Sequence, residues 1–229
     1  MRRIIPNWLI SNSIVMTIAL LLAITTTSVF WLPLIAAFSF MSLFFYSWQK
    51  ESSRTPPFSL GSYANQITAI RFIISSITVL FVNQIPAFHS FCLFGFAILL
   101  DGLDGFLARK YQQMSEIGGL FDKTVDAYFV VLLSFILVLK YEVPLWFLGI
   151  GYLHYGYELL LLSLGWQHLA IPKNPIGKYA AAFLFISLLS PFILPPIWYF
   201  SIIYLAAALV SFSFGWSFYH KYKVASVRT

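Results

Sequence analysis

The sequence predicts an all-α polytopic membrane protein, a six-helix transmembrane core preceded by two extra N-terminal transmembrane helices. Three observations carry that expectation. Of 229 residues, 60% are hydrophobic and only 10% charged, with a mean hydropathy of +0.83, far outside the range of soluble globular domains. The apolar residues fall into eight runs of about 20, the length that crosses a bilayer as a helix. The Lys and Arg residues between those runs are distributed to one side, as membrane topology requires.

The runs cover residues 8–27, 29–48, 63–83, 86–108, 117–140, 143–164, 175–194 and 196–218. Arg2 and Arg3 precede the first run, but no small-residue cleavage site follows it, so it is expected to stay as a helix. Thr25, Thr26 and Thr27 make a weak break before the second run. Residues 49–62, "QKESSRTPPFSLGS", are polar, proline-broken and glycine-containing, which reads as a cytoplasmic linker. The expected organisation is therefore a helix pair over 1–48, a linker over 49–62 and a six-helix core over 63–220.

Placing both termini in the cytoplasm puts Arg2 and Arg3, Lys50 and Arg54, Arg109 and Lys110, Lys173, and Lys221, Lys223 and Arg228 inside. The outside turns then hold only Lys140. That asymmetry predicts eight spans with both termini facing the cytoplasm. It also accounts for the net charge of +6 without nucleic acid as a partner, because the basic residues are scattered rather than clustered on a polar domain. The sole cysteine, Cys92, excludes an internal disulfide and a cysteine-based metal site, and it is expected as a small buried hydrophobe.

Of the eight acidic residues, four are Asp101, Asp104, Asp122 and Asp126. On a helix advancing about 100° per residue, Asp101, Asp104, Gly105 and Ala108 share one stripe. Ser115, Gly118, Gly119, Asp122 and Asp126 form a second, again at spacings of three and four. Small residues on facing stripes let membrane helices approach closely. Four carboxylates gathered at a membrane boundary repel one another and lose hydration, so cations belong to the arrangement. With oxygen ligands and no Cys or His in the stripes, the expected ions are Mg²⁺ or Mn²⁺. Four carboxylates suffice for two ions about 3.5–4 Å apart, a geometry suited to phosphoryl displacement. A cation transporter also uses intramembrane carboxylates. Against it, these aspartates cluster beside Arg109 and Lys110 at one boundary rather than along a transmembrane path. Prenyl-transferring membrane enzymes space their aspartates differently.

The stretch "DGLDGFLARKYQQMSEIGGLFDKTVD" from residue 101 resembles the CDP-alcohol phosphotransferases (CDP-alcohol phosphatidyltransferases), whose signature is D-x2-D-G-x2-A-R-x8-G-x3-D-x3-D. Asp101, Asp104, Gly105, Ala108, Arg109, Gly118, Asp122 and Asp126 occupy every fixed position at the right spacing. Upstream, Asn65, Thr68 and Arg71 in "NQITAIRF" are similar to the N-x-(I/L)-T-x-x-R of many members. The resemblance covers about residues 63–218 and leaves the first 60 outside.

The resemblance implies a transfer of a substituted phosphoryl group from a CDP-linked lipid, typically CDP-diacylglycerol, to a small or lipid alcohol, with release of CMP. It implies Asp101, Asp104 and Asp122 as metal ligands, with Asp126 both ligand and general base. It implies Gly105, Ala108 and Arg109 as the nucleotide edge and Gly118 as the residue that keeps the facing helix clear. Ser115 shares the stripe and could donate a hydrogen bond to phosphate. Asn65 and Thr68 either contact the nucleotide or bond helix to helix. The charge asymmetry sets the motif facing the cytoplasm, a bacterial-type inner membrane with its lipids is the expected surrounding, and the resemblance implies a homodimer. For the acceptor, Tyr157 precedes Glu158 where makers of phosphatidylglycerol phosphate carry Arg-Glu, which argues against glycerol phosphate. "PKNPIGKY" is similar to their P-S-x-x-G-K segment, keeping Gly177 and Lys178 but differing at Asn174 and Pro175. Lys178 either binds an acceptor phosphate or snorkels to headgroups. His154 and Glu158, four apart on one helix face, either line the acceptor pocket or make an interhelical hydrogen bond.

Overall fold

The computed structural model describes residues 4–51, 62–111, 115–166, 168–172 and 174–226. Among them the chain forms eight α-helices and no strand: α1 (Ile4–Thr26), α2 (Trp31–Glu51), α3 (Tyr63–Leu80), α4 (Ala87–Lys110), α5 (Glu116–Lys140), α6 (Phe147–Ser163), α7 (Gly177–Leu189) and α8 (Pro196–Ser226), with a 3₁₀ turn at Ser190–Phe192. Each helix falls on one predicted run. Three are long and apolar enough to cross a membrane, over Trp8–Thr26, Ala87–Lys110 and Pro196–Ser226; Trp31–Phe45 and Gly177–Phe192 are apolar but shorter. The α2 helix continues through residue 51, into the start of the expected linker; residues 52–61, with Arg54, lie outside the described residues, as do Arg2, Arg3, Lys173 and Arg228.

Helix ends follow from local chemistry. Thr27, at φ 50°, closes α1 in a left-handed turn, with its N–H bonding Ile24 O at 3.3 Å and the Ser28 N–H bonding Ala23 O at 3.1 Å. That is a Schellman closure with threonine where glycine is usual. Gly165, at φ 68°, closes α6 in the same manner through Leu162 O and Leu161 O. Ser62 opens α3, its hydroxyl accepting from the Asn65 N–H at 3.2 Å. Asn174 opens α7: Oδ1 accepts from the N–H groups of Ile176 and Gly177, while Nδ2 donates to Ser213 and Ser217 of α8.

The chain divides into two compact units, Met1–Leu132 and Leu133–Thr229. In the first, α1 pairs with α2 and α3 lies along α4. Ser39 donates to the buried Asn12 Oδ1 at 2.6 Å between α1 and α2. Phe40 of α2 meets Phe72 of α3 and Phe121 of α5 at 5.0 and 5.3 Å between ring centroids, and Phe44 meets Phe121 at 5.0 Å. Phe72 continues to Tyr128, whose hydroxyl bonds Ser76 at 2.8 Å. The pattern of α3 is apolar outside and polar inside. Ile70, Ile73 and Ile77 are exposed, whereas Asn65, Thr68, Arg71, Ser75 and Ser76 are buried. That inversion suits a helix whose surroundings are lipid.

In the second unit α8 packs on α6 and α7. Tyr199 donates to Tyr141 O at 2.9 Å. Lys221 was expected as an aqueous topology charge; it is buried instead, donating to Trp166 O and Leu169 O, both at 3.0 Å. Those carbonyls lie in the segment just beyond the end of α6, where Trp166 O also accepts from the Leu169 N–H at 3.2 Å, so the ammonium ties this segment to α8. Cys92 also departs from expectation. It is exposed on α4, where a thiol facing an apolar medium carries little penalty.

Candidate active site

The four aspartates converge, all within the first unit. Asp101 and Asp104 project from α4 and Asp122 and Asp126 from α5, as the spacing of three and four residues dictates. Between them lies the guanidinium of Arg71, from the middle of α3. Its Nη1 stands 2.7 Å from Asp101 Oδ1 and 3.1 Å from both Asp104 Oδ2 and Asp122 Oδ1, and its Nη2 stands 2.6 Å from Asp126 Oδ1.

The carboxylates are not equivalent. The side chain of Asp104 is 5% exposed and that of Arg71 4%, while Asp101, Asp122 and Asp126 keep 35%, 37% and 30% open. Asp104 is the inner anchor: Thr68 donates to its Oδ2 at 3.0 Å and Arg71 Nη1 at 3.1 Å. The outer three each present an oxygen within 4.8 Å of the other two. Ligand oxygens about one Mg²⁺ lie at most about 4.2 Å apart, twice its bond length of about 2.1 Å, so a small contraction brings these three into range. The donor set is all carboxylate, which fits a hard divalent cation. Four negative charges and one positive leave the cluster at a formal −3. A group buried in lipid-facing helices tolerates that charge poorly without further cations.

The small residues have defined neighbours. A Cβ on Gly118 would lie 2.8 Å from both Asn65 Oδ1 and Ser115 Oγ, so glycine here permits the contact of α5 with α3. Ser115 serves as the N-cap of α5, its Oγ accepting from the Gly118 N–H at 2.9 Å. A Cβ on Gly105 would lie 3.5 Å from Arg109 Nη1, which places the Arg109 guanidinium back along its own helix. Ala108 is half-buried one turn further on. The Thr68 hydroxyl bonds α3 to α4 through Asp104.

The residues singled out for an acceptor belong to the second unit. His154 and Glu158 are half-buried on α6, and Lys178 is exposed in the first turn of α7. Sequence reasoning gave Arg71 no place among the site residues. The available signal was its position, the one charge in the run 63–83, because a buried arginine within a membrane span requires carboxylate partners.

An all-helical chain with lipid-suited faces, whose α4 and α5 bring four carboxylates together around one buried arginine of α3, defines a polytopic membrane protein with a carboxylate site. The family model for CDP-alcohol phosphatidyltransferase matches residues 62–214, and the chain belongs to that family. Members are transferases of phospholipid synthesis that use a CDP-alcohol donor, an alcohol acceptor and a divalent metal in the membrane. No curated protein matches the chain.

Proposed function

We propose that this protein transfers the phosphatidyl group of CDP-diacylglycerol to the hydroxyl of an alcohol, with release of CMP. The observation that carries the reading is the convergence of all four signature aspartates on one point, within a complete eight-position signature. Asp101, Asp104, Asp122 and Asp126 would hold two Mg²⁺ or Mn²⁺ ions, which when bound neutralise the donor pyrophosphate and the charge developing on CMP. Asp126 takes the proton of the acceptor hydroxyl. The acceptor oxygen forms a bond to the phosphorus that carries the diacylglycerol, and the bond from that phosphorus to the CMP oxygen breaks. Asp126 is suited to the role because its side chain is accessible, whereas Asp104 is enclosed.

The nucleotide lies along Gly105, Ala108 and Arg109, with Arg109 leaving its resting place over Gly105 to pair with phosphate. Ser115 can donate its proton to phosphate while still accepting from Gly118, and Asn65 approaches Gly118 from α3. Residues 63–220 are the catalytic core and 1–48 an addition to it. Lys178, His154 and Glu158 remain the residues proposed to recognise the acceptor. The active site and both termini face the cytoplasm. Full-length protein in detergent should release CMP from CDP-diacylglycerol only when Mg²⁺ or Mn²⁺ and a suitable alcohol are present, with the lipid product identified by mass spectrometry. No CMP across a broad panel of acceptors would overturn the proposal.

A further inference from the structure

The guanidinium of Arg71 and a divalent cation call on the same atoms. Arg71 touches one oxygen from each aspartate, and three of those residues, Asp101, Asp122 and Asp126, are the set whose oxygens gather within 4.8 Å. The inner nitrogen of the arginine, Nη1, is itself saturated. Nη1 carries two protons, and its hydrogen bonds go to Asp104 and Asp122, so the 2.7 Å approach of Asp101 is held by charge. Nη2 donates to Asp126. A doubly charged ion among the three accessible carboxylates would both claim these oxygens and repel the guanidinium.

We infer that Arg71 is a displaceable counter-charge, which must give up the outer carboxylates before they can bind a metal ion and which therefore weakens metal affinity. The inference rests on the proposal that the aspartates hold divalent cations. Asp104 is the natural tether during the exchange. It is enclosed, it lies outside the three-residue set, and Thr68 fixes its carboxylate independently of Arg71. Arg71 can thus release three partners and keep Asp104 through Oδ2, which leaves Asp104 Oδ1 for a metal ion.

The test is Mn²⁺ binding to full-length protein in detergent, read from the loss of the free-ion signal in electron paramagnetic resonance, without donor or acceptor. Arg71→Gln should bind Mn²⁺ at least about tenfold more tightly than wild type, about 1.4 kcal/mol. It should also melt at lower temperature in EDTA, with Mn²⁺ closing the gap. Arg71→Lys keeps the charge but lacks the two-nitrogen fork that spans Asp126 and the other three, so it should fall between them. It decides the matter if the glutamine variant does not fold. A merely structural arginine predicts the opposite sign, since its loss would loosen the carboxylates. Variants that bind Mn²⁺ no more tightly than wild type overturn the inference and leave the metal site standing. No Mn²⁺ binding by any of the three overturns both.

Discussion

At the scale of single residues, the site is built from groups with different freedoms. Asp126 is accessible and bonded to Arg71 through one oxygen. Asp126→Asn keeps an oxygen that can accept from Nη2 but cannot take a proton from the acceptor. Turnover should fall by about 10²–10⁴-fold, the usual worth of a general base, while CDP binding measured by calorimetry changes only a few-fold; activity near wild type would remove Asp126 as base. The aspartates were legible in the sequence because their spacing is itself the helical period. The role of Arg71 is not legible in the same way. Its partners lie 30 to 55 residues away on two other helices, and no local pattern encodes that distance. Thr68 was ambiguous for a related reason. A hydroxyl in a span can serve a ligand or a neighbouring helix, and its bond to Asp104 depends on a residue 36 positions away.

At the scale of helices, the resemblance leaves the N-terminal pair without a purpose, while the packing sets its second helix against α3 and α5. Phe40 of α2 touches Phe72 and Phe121, and these are the chain neighbours of Arg71 and Asp122. A helix outside the family match thus rests on the backs of two site-bearing helices. Phe40→Ala should destabilise by about 1–3 kcal/mol. That is below the roughly 3–5 kcal/mol of an aqueous core, because lipid as the surrounding solvent removes much of the hydrophobic transfer term and leaves the packing loss. Thermal unfolding in detergent should show the drop, and Phe40→Leu should recover most of it; an unchanged melting temperature would separate α2 from the site. The helices themselves were readable from apolar runs. Their ends were not, since Thr27 and Gly165 stop α1 and α6 through left-handed closures that hydropathy does not register. Loop length was similarly hidden: α6 begins at residue 147, four residues inside its apolar run, and α7 stops at residue 189 with a 3₁₀ turn completing the run.

At the scale of the whole molecule, the governing quantity is the distribution of positive charge. The proposed orientation can be tested with one engineered thiol. In a Cys92→Ser background, Lys223→Cys should react with a membrane-impermeant maleimide in inverted vesicles and stay unlabelled in intact cells; labelling in intact cells would reverse the topology. Every described basic residue lies within a helix, with Arg109, Lys110, Lys140, Lys178 and Lys223 close to a helix end, and a count of charges along the sequence treats each lysine as hydrated. Lys221 is not, and its capture of Trp166 and Leu169 has a consequence in time. A membrane protein is threaded into the bilayer from its N-terminus as it is made. The segment after α6 emerges 52 to 55 residues before the lysine that secures its carbonyls, and Asn174 likewise precedes Ser213 and Ser217 by 39 and 43. At about 5–20 residues per second, that leaves several seconds of synthesis during which this segment has no anchor. The last helix to be inserted is therefore the one that fastens a segment made long before it, so a nascent chain stalled within α8 ahead of Ser213 would carry five of its polar fastenings still open.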